Sequence, residues 1–272
     1  MTPDIQLVVT DLDGTLWERE AHVHERTRAA LGAVTAAGLP LVVATGRRSG
    51  SARPALSALG LAPPAVLLNG ALGLDLTSGT RFHRGGFDHA GAVAVLAAFH
   101  DHGVEPCIYI DHDDHPVCVG SAPSTHPDHL VSFGDDVVTR DLVEVVRSAH
   151  VLAFGVLGIP DGLARALGMA LEAVAEAHVD RDRQHRGMSV TVAPRGRSKW
   201  DGVAAFCSEH QLDVGAVMAI GDGPNDIELL ANAAVAVVPS DAHPAARLHA
   251  DHIVGRAEDG GWADILEILG IT

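Results

Sequence analysis

The sequence predicts an α/β fold, in which a Rossmann-like, doubly wound parallel sheet carries a second, α+β domain inserted into it. Two observations favour this class. Short apolar runs alternate with amphipathic segments toward both ends of the chain, as a parallel sheet covered by helices requires. Between about residues 84 and 188 the pattern changes, and it predicts longer helices separated by pairs of strands. We therefore predict a core domain of residues 1–83 and 189–272 and an inserted domain of residues 84–188.

The first part of the core alternates strands and helices. Predicted strands cover Ile5–Thr10, Leu39–Ala44 and Ala65–Leu68, and predicted helices cover Glu25–Ala37 and Arg53–Leu59. The two helices end at Gly38 and Gly60, because glycine readily adopts the left-handed backbone of a helix end.

The same alternation returns toward the carboxyl end. It predicts helices at Lys199–His210, Asn225–Asn232 and Trp262–Leu269, with strands at Ala216–Ile220 and Val235–Val238. In and around the insert, the pattern predicts helices at Ala90–His102 and Gly162–Ala177, and extended segments at Cys107–Ile110, Val117–Val119, Val151–Leu157 and Ser189–Val192.

Composition excludes several classes of protein. The chain has 272 residues, 47% of them hydrophobic, which is enough for a sizeable globular core. A formal net charge of -16 argues against binding to a nucleic-acid backbone or an anionic membrane surface, since both need clustered Lys and Arg. Three cysteines without C-x-x-C spacing exclude a disulfide framework or a cysteine-rich zinc site. The amino terminus lacks a basic segment followed by a long apolar one, so we expect a soluble, cytoplasmic protein.

Two carboxylates, Asp11 and Asp13, follow the first predicted strand directly. Ligands of open α/β sheets collect outside the carboxyl ends of the strands, so this is a place where chemistry can be done. Asp11 can act as a nucleophile and Asp13 as a proton donor and acceptor, provided that a cation neutralises the crowded charge. The competing interpretation is an acidic turn, because Asp and Gly are common turn residues.

Two further polar positions suit phosphate binding. Thr45, Gly46 and Arg47 follow the second strand, where the hydroxyl and backbone N–H groups can hold phosphate oxygens and Gly46 allows close approach. Lys199 begins a predicted helix and can neutralise a phosphoryl group and the attacking carboxylate. Each has a plainer interpretation, a polar turn for the first and a solvated surface lysine for the second.

The segment Gly221–Asp226 follows another predicted strand and contains Asp222, Asn225 and Asp226. Asp222 is placed to bind a hard cation through oxygen, and Asp226 to bind or orient within the same site. A helix cap is the alternative. The glycine and glutamate positions do not match a calcium-binding EF-hand loop in either acidic cluster.

Taken together, these four motifs in this order resemble the haloacid dehalogenase-like hydrolase superfamily, specifically the Cof-type phosphatases with a large inserted cap. The motifs are Asp11–Thr15, Thr45–Arg47, Lys199 and Gly221–Asp226, and Asn69–Ala71 matches a further feature of this branch. The resemblance covers nearly the whole chain. Trp200, where the branch commonly has Gly, and the run at residues 238–241, in place of its usual Met-x-Asn-Ala, depart from the pattern and leave the substrate and subfamily open.

The resemblance implies a role for each motif residue. Asp11 would be the nucleophile and Asp13 the acid/base, with Mg2+ held by the Asp11 carboxylate, the Asp13 backbone carbonyl and Asp222. Asp226 would support the metal or Lys199. The remaining positions would hold the phosphoryl group, namely Thr45, Gly46, Arg47, Lys199 and Asn225.

The implied activity is Mg2+-dependent hydrolysis of small phosphomonoesters, such as sugar phosphates, through an aspartyl-phosphate. Two alternatives remain open: a phosphomutase or phosphotransferase that uses the same intermediate, and a catalytically silent ligand-binding protein on the same scaffold.

A third acidic stretch, Asp111–His115, raises the question of a second metal site. It lies between two short predicted strands, and adjacent residues seldom all converge on one ion. We therefore predict a hairpin turn.

Overall fold

The structure is a computed structural model that describes residues 4–18, 22–182 and 186–271. Its strands are β1 (Leu7–Thr10), β2 (Leu41–Ala44), β3 (Pro64–Leu67), β4 (Leu72–Asp75), β5 (Arg81–Arg84), β6 (Cys107–Ile110), β7 (Val117–Val119), β8 (Val137–Thr139), β9 (Val151–Ile159), β10 (Glu176–Arg181), β11 (Met188–Ala193), β12 (Val217–Ile220), β13 (Val235–Pro239) and β14 (His252–Val254). Its α-helices are α1 (Glu25–Ala36), α2 (Ser49–Ser57), α3 (His89–Asp101), α4 (Pro127–Val131), α5 (Leu142–Ser148), α6 (Asp161–Leu171), α7 (Lys199–His210), α8 (Ile227–Asn232), α9 (Pro244–Arg247) and α10 (Ile265–Leu269).

The chain divides into two compact units. The first contains the described residues up to Arg84 and from Ser198 onward, and the second contains the described residues between them. We predicted that the insert ends at residue 188, but β11 pairs antiparallel with β9 and β10 in the sheet of the second unit. Because β11 belongs to this sheet, the second unit extends to Arg197.

The first unit is built on an eight-stranded sheet with the order β14-β13-β12-β1-β2-β3-β4-β5. The strands from β14 to β3 run parallel, which confirms the predicted doubly wound α/β core. The strands β4 and β5 add an antiparallel hairpin at one edge, which the sequence analysis missed. Chain order reverses at β1, whose neighbours are β12 and β2, and such a switch point is where open α/β sheets bind ligands.

The core of the first unit joins the sheet to α7 and α8. Buried side chains of β1, β2 and β3 pack with Val203, Phe206 and Cys207 of α7. Trp200 is half-buried against the same cluster, so the departure from the family pattern at this position is a packing residue. Burial on both faces explains why these strands are continuous apolar runs.

The second unit contains a six-stranded sheet with the order β10-β11-β9-β6-β7-β8, packed against α3, α5 and α6. The helix predicted at Gly162–Ala177 ends at Leu171. The last two residues of the prediction, Glu176 and Ala177, pair with β11 instead, because the strand ladder overrides their helix propensity. The strands β6 and β7 form an antiparallel pair, so the stretch Asp111–His115 lies in a hairpin connection as predicted. Of the helices in the described ranges, none combines the length and the apolar character needed to cross a lipid bilayer.

Two helical glycines provide a test of how closely α7 packs on the sheet. A Cβ at Gly202 of α7 would lie 2.5 Å from Val66 of β3, whereas a Cβ at Gly32 of α1 meets nothing within 4 Å. We expect Gly202→Ala to lower the free energy of unfolding by about 1–3 kcal/mol through overpacking. The matched Gly32→Ala should raise it by about 0.5–1 kcal/mol through helix propensity. Urea denaturation measures both, and equal effects of the two variants would contradict close packing of α7.

Candidate active site

Four polar segments meet at the carboxyl edge of the parallel sheet. Asp11 follows β1, Thr45 follows β2, Asn69 lies two residues after β3, and Gly221 follows β12. The strands β12, β1, β2 and β3 are consecutive neighbours in the sheet. Residues far apart in the chain are therefore brought together by strand order alone.

Lys199 lies at the centre of this edge and is completely buried. Its Nζ donates to Asp11 Oδ1 at 2.8 Å and to Asp226 Oδ1 at 2.7 Å. Asp226 is also completely buried, and the Asp11 side chain is 8% exposed. The interpretation of Lys199 as a solvated surface residue is therefore wrong, because the lysine belongs to a buried three-residue ion-pair network.

The start of α7 is fixed from two sides, which places Lys199. The Asp201 carboxylate accepts hydrogen bonds from the backbone N–H and the hydroxyl of Ser198 at 2.7 and 3.2 Å. A turn formed by Leu68, Asn69 and Gly70, all with positive φ, packs against the Ser198 carbonyl. A Cβ at Gly70 would lie 2.0 Å from that oxygen, so only glycine fits there.

Asp226 stabilises the loop that carries Asp222. Its Oδ2 accepts hydrogen bonds from the backbone N–H groups of Asp222 and Gly223, at 3.1 and 2.9 Å. Since its Oδ1 accepts from Lys199, both carboxylate oxygens of Asp226 are occupied by protein donors. Asp226 therefore orients Lys199 and the Asp222 loop, and its role as a metal ligand stays a prediction.

Asp222 faces the first motif across the sheet edge. The Thr15 hydroxyl donates to Asp222 Oδ1 at 3.0 Å. Gly14 has a φ of 87°, and a Cβ there would lie 2.4 Å from Asp222 Oδ2. Gly14 thus leaves the space that the Asp222 carboxylate occupies.

Burial and nearby charges shift the pKa values of Asp11 and Lys199. Burial raises the pKa of Asp11 to about 8, an effect that Lys199 opposes and that the carboxylates of Asp226 and Asp222 reinforce. Burial alone would lower the pKa of Lys199, but attraction to Asp11 and Asp226 outweighs it and raises the pKa. The lysine is therefore held as a cation, and Asp11 is a carboxyl group that needs more positive charge before it ionises at neutral pH.

One atom each of Asp11, Asp222 and Asp226 lies within 4.8 Å of the other two. Among the described residues, this is the one group of three or more acidic, histidine or cysteine side chains close enough to hold a metal ion. Asp11 and Asp222 supply the hard oxygen donors that Mg2+ prefers, and a divalent cation would offset the repulsion among the three carboxylates. The residues present therefore fit a magnesium ion.

Asp13 lies on the exposed side of the same loop, with its side chain 46% exposed. Arg47 donates to it through two nitrogens, with Nε 2.6 Å from Oδ2 and Nη2 2.5 Å from Oδ1. The indole Nε1 of Trp17 donates to Oδ1 at 2.9 Å. Arg47, which we predicted to bind phosphate, is thus paired with Asp13 in this structure.

The remaining predicted phosphate ligands lie around Asn69. Asn225 Nδ2 donates to Asn69 Oδ1 at 3.0 Å, and a Cβ at Gly46 would lie 3.0 Å from that same oxygen. The Thr45 hydroxyl is buried and accepts from the Arg47 backbone N–H at 3.2 Å. These groups offer amide, hydroxyl and backbone donors that suit a phosphoryl group.

Sequence reasoning gave no site role to Thr15, Trp17 or Asn69. Asn69 follows β3, so the rule that found the other segments, a polar residue just after a parallel strand, also applies to it. Thr15 belongs to the first motif but carried no signal of its own. Nothing in the sequence indicated that the Trp17 indole turns back to Asp13.

Comparison with known proteins identifies the family of this chain. The sequence profile of the haloacid dehalogenase-like hydrolases matches residues 8–266. The chain is 26% identical over 254 residues to an HMP-PP phosphatase of Shigella boydii, covering 91% of this chain and 93% of that protein. It is 22% identical over 264 residues to the pyridoxal phosphate phosphatase YbhA of Escherichia coli, covering 92% of this chain and 93% of that protein.

A solved structure shares the fold. The structure of BT4131, described as a subclass IIB sugar phosphatase, superposes with a TM-score of 0.73 at 22% identity, covering 98% of this chain and all of the other. With the profile match across most of the chain and the four motifs gathered at one sheet edge, the protein belongs to the haloacid dehalogenase-like hydrolases, in their Cof-type branch.

Proposed function

We propose that this protein is a Mg2+-dependent phosphatase that hydrolyses small phosphomonoesters, sugar phosphates among them, through an aspartyl-phosphate on Asp11. The observation that carries the proposal is the Asp11 carboxyl at the carboxyl edge of the sheet, hydrogen-bonded to a buried Lys199 that Asp226 holds in place. The relatives support the phosphatase class, since their names describe phosphatases of pyridoxal phosphate and HMP-PP. The sugar phosphatase BT4131 supports the inclusion of sugar phosphates.

In the first step, an Asp11 carboxylate oxygen attacks phosphorus and the bond from phosphorus to the ester oxygen breaks. The leaving oxygen takes the proton of Asp13 and departs as the alcohol. Lys199 stabilises the negative charge shared by Asp11 and the phosphoryl oxygens, while Thr45, Gly46 and Asn225 hold those oxygens.

In the second step, a water oxygen attacks the phosphorus of the aspartyl-phosphate, and Asp13 takes the proton that this water loses. The bond from phosphorus to the Asp11 oxygen breaks, which regenerates the carboxylate and releases inorganic phosphate. Mg2+, held by Asp11, Asp222 and the Asp13 carbonyl, would shield the carboxylates from each other and from the negative substrate.

The direct test of function is release of inorganic phosphate from a panel of phosphorylated sugars, cofactors and small acids in the presence of Mg2+. Acid quenching during turnover, followed by mass spectrometry of the peptide that contains Asp11, should show the added mass of one phosphoryl group. Turnover without a phosphorylated peptide, together with inversion of configuration at phosphorus, would contradict the covalent route.

Two substitutions separate the proposed roles. Asp11→Asn should reduce phosphate release to background, because the amide is a poor nucleophile. Asp13→Asn should lower kcat roughly 10²- to 10⁴-fold, the usual contribution of general acid–base catalysis. Asp161→Asn, at an exposed carboxylate on α6, is the matched control and should leave kcat unchanged. Wild-type turnover by Asp11→Asn would exclude the proposed nucleophile.

The raised pKa of Asp11 should make the free energy of unfolding depend on pH. Asp11 has a raised pKa of about 8 in the folded protein against 3.8 as its ordinary value, so the native state holds a proton that the unfolded chain releases. Its contribution to stability is complete below about pH 4 and is lost as the pH rises toward 8. In EDTA, the free energy of unfolding should therefore fall more steeply over this range in the wild type than in Asp11→Asn.

Mg2+ should raise the melting temperature more at pH 8 than at pH 5, because it competes with the proton for Asp11. Asp222→Asn should weaken this effect. A Mg2+ response that is identical at both pH values, or identical in wild type and Asp222→Asn, would remove these carboxylates from the metal site.

A further inference from the structure

Trp17 is a completely buried tryptophan in the loop that carries Asp13. Its backbone is tied to that loop, since its carbonyl accepts from Gly14 N–H at 2.7 Å and its own N–H donates to the Leu12 carbonyl at 3.1 Å. The indole therefore occupies a fixed position relative to Asp13. The reaction steps proposed above do not involve the Trp17 indole.

A buried indole N–H needs a hydrogen-bond acceptor. In Trp17 the acceptor is Asp13 Oδ1, at 2.9 Å, and the acceptor residue is itself 46% exposed on its side chain. The hydrogen bond thus joins a buried indole to a partly exposed carboxylate. This is the arrangement expected of a group that orients an exposed side chain.

Arg47 contacts the same carboxylate in a different way. It reaches Asp13 Oδ2 through Nε at 2.6 Å and Oδ1 through Nη2 at 2.5 Å, its side chain is 26% exposed, and its guanidinium lies 5.4 Å from the centroid of the Trp17 ring. Arg47 is half-buried, and its guanidinium fork suits phosphate as well as carboxylate. A phosphate can therefore compete with Asp13 for both Arg47 contacts, whereas the buried indole N–H has Asp13 Oδ1 as its acceptor.

We infer that Trp17 is a positioning residue that fixes Asp13 Oδ1 and leaves Oδ2 as the atom that transfers the proton. The inference rests on the proposed phosphatase function. When Arg47 exchanges from Asp13 to an anionic oxygen of the substrate, the indole keeps the carboxyl group in place. The proton leaves Oδ2 for the ester oxygen as the bond from phosphorus breaks, and Oδ2 later accepts a proton from the attacking water.

Trp17→Phe tests the inference because it removes the N–H and keeps an aromatic ring. We expect kcat for an alkyl phosphate to fall roughly 10- to 100-fold, the cost of a misplaced catalytic group, with KM unchanged. Benzothienylalanine at position 17 is a second variant that replaces the N–H by sulfur at nearly the same volume, and it should show the same fall.

Trp262→Phe is the matched control. Trp262 is also completely buried, and its indole N–H donates to the hydroxyl of Thr10 at 3.0 Å. Both phenylalanine variants lose one buried indole hydrogen bond, so both should lower the melting temperature by a similar amount. The fall in kcat should be confined to position 17.

A double-mutant cycle with Asp13→Asn shows whether Trp17 acts through Asp13. Residual turnover is measured with p-nitrophenyl phosphate, whose leaving group needs little protonation. In the Asp13→Asn background, Trp17→Phe should cause no further loss. An equal loss in both backgrounds, or wild-type kcat in both position-17 variants, would overturn the inference. The proposed function fails separately, if the wild type itself hydrolyses no phosphomonoester.

Discussion

The ammonium group of Lys199, held between Asp11 and Asp226 in the interior, is the interaction on which the rest of the site depends. All three side chains are nearly or completely buried, and the two hydrogen bonds are 2.8 and 2.7 Å long. Removing one partner of such a buried network typically costs about 3–5 kcal/mol, because a charge is left without compensation. The fold must therefore hold all three groups within hydrogen-bond distance at once.

Several local features make sense as supports for this network. The turn at Leu68–Gly70 and the carboxylate of Asp201 fix the first residue of α7, which is Lys199. Asp226 closes the loop after β12 through two backbone N–H groups while it holds the lysine. Asp11 needs no special support, since it follows directly from the central strand β1.

The parallel core and the segments of the candidate site were predictable from the sequence because both depend on local signals. Apolar runs mark buried strands, and polar residues directly after them mark the sheet edge, which placed Asp11, Thr45 and Asp222 correctly. The strands β4, β5 and β14 were missed because none is a continuous buried apolar run: β4 contains Gly73, and the edge strands β5 and β14 are largely half-buried or exposed. The first two residues of β10, Glu176 and Ala177, were assigned to the preceding helix, because their pairing with β11 is not a local signal.

Side-chain partners were harder to predict than backbone positions. Arg47 was assigned to phosphate from its motif, yet the structure pairs it with Asp13. Asp226 was assigned to the metal or to Lys199, and the structure pairs it with Lys199. A motif fixes which residues reach the site, but rotamers and burial decide which atoms meet. Trp17 shows the limit most clearly, because a tryptophan four residues after an aspartate is normally only a core residue.

The charges of the buried side chains at this site do not balance one another. Three carboxylates, Asp11, Asp222 and Asp226, face one ammonium group, which leaves two negative charges uncompensated. Burial is the main cause of the raised pKa of Asp11, and the neighbouring carboxylates add to it. One divalent cation would make the group neutral and free Asp11 to ionise. Arg47 contacts Asp13 beside this group. On the proposed function, Arg47 supplies additional positive charge to an arriving phosphate, while Trp17 retains Asp13.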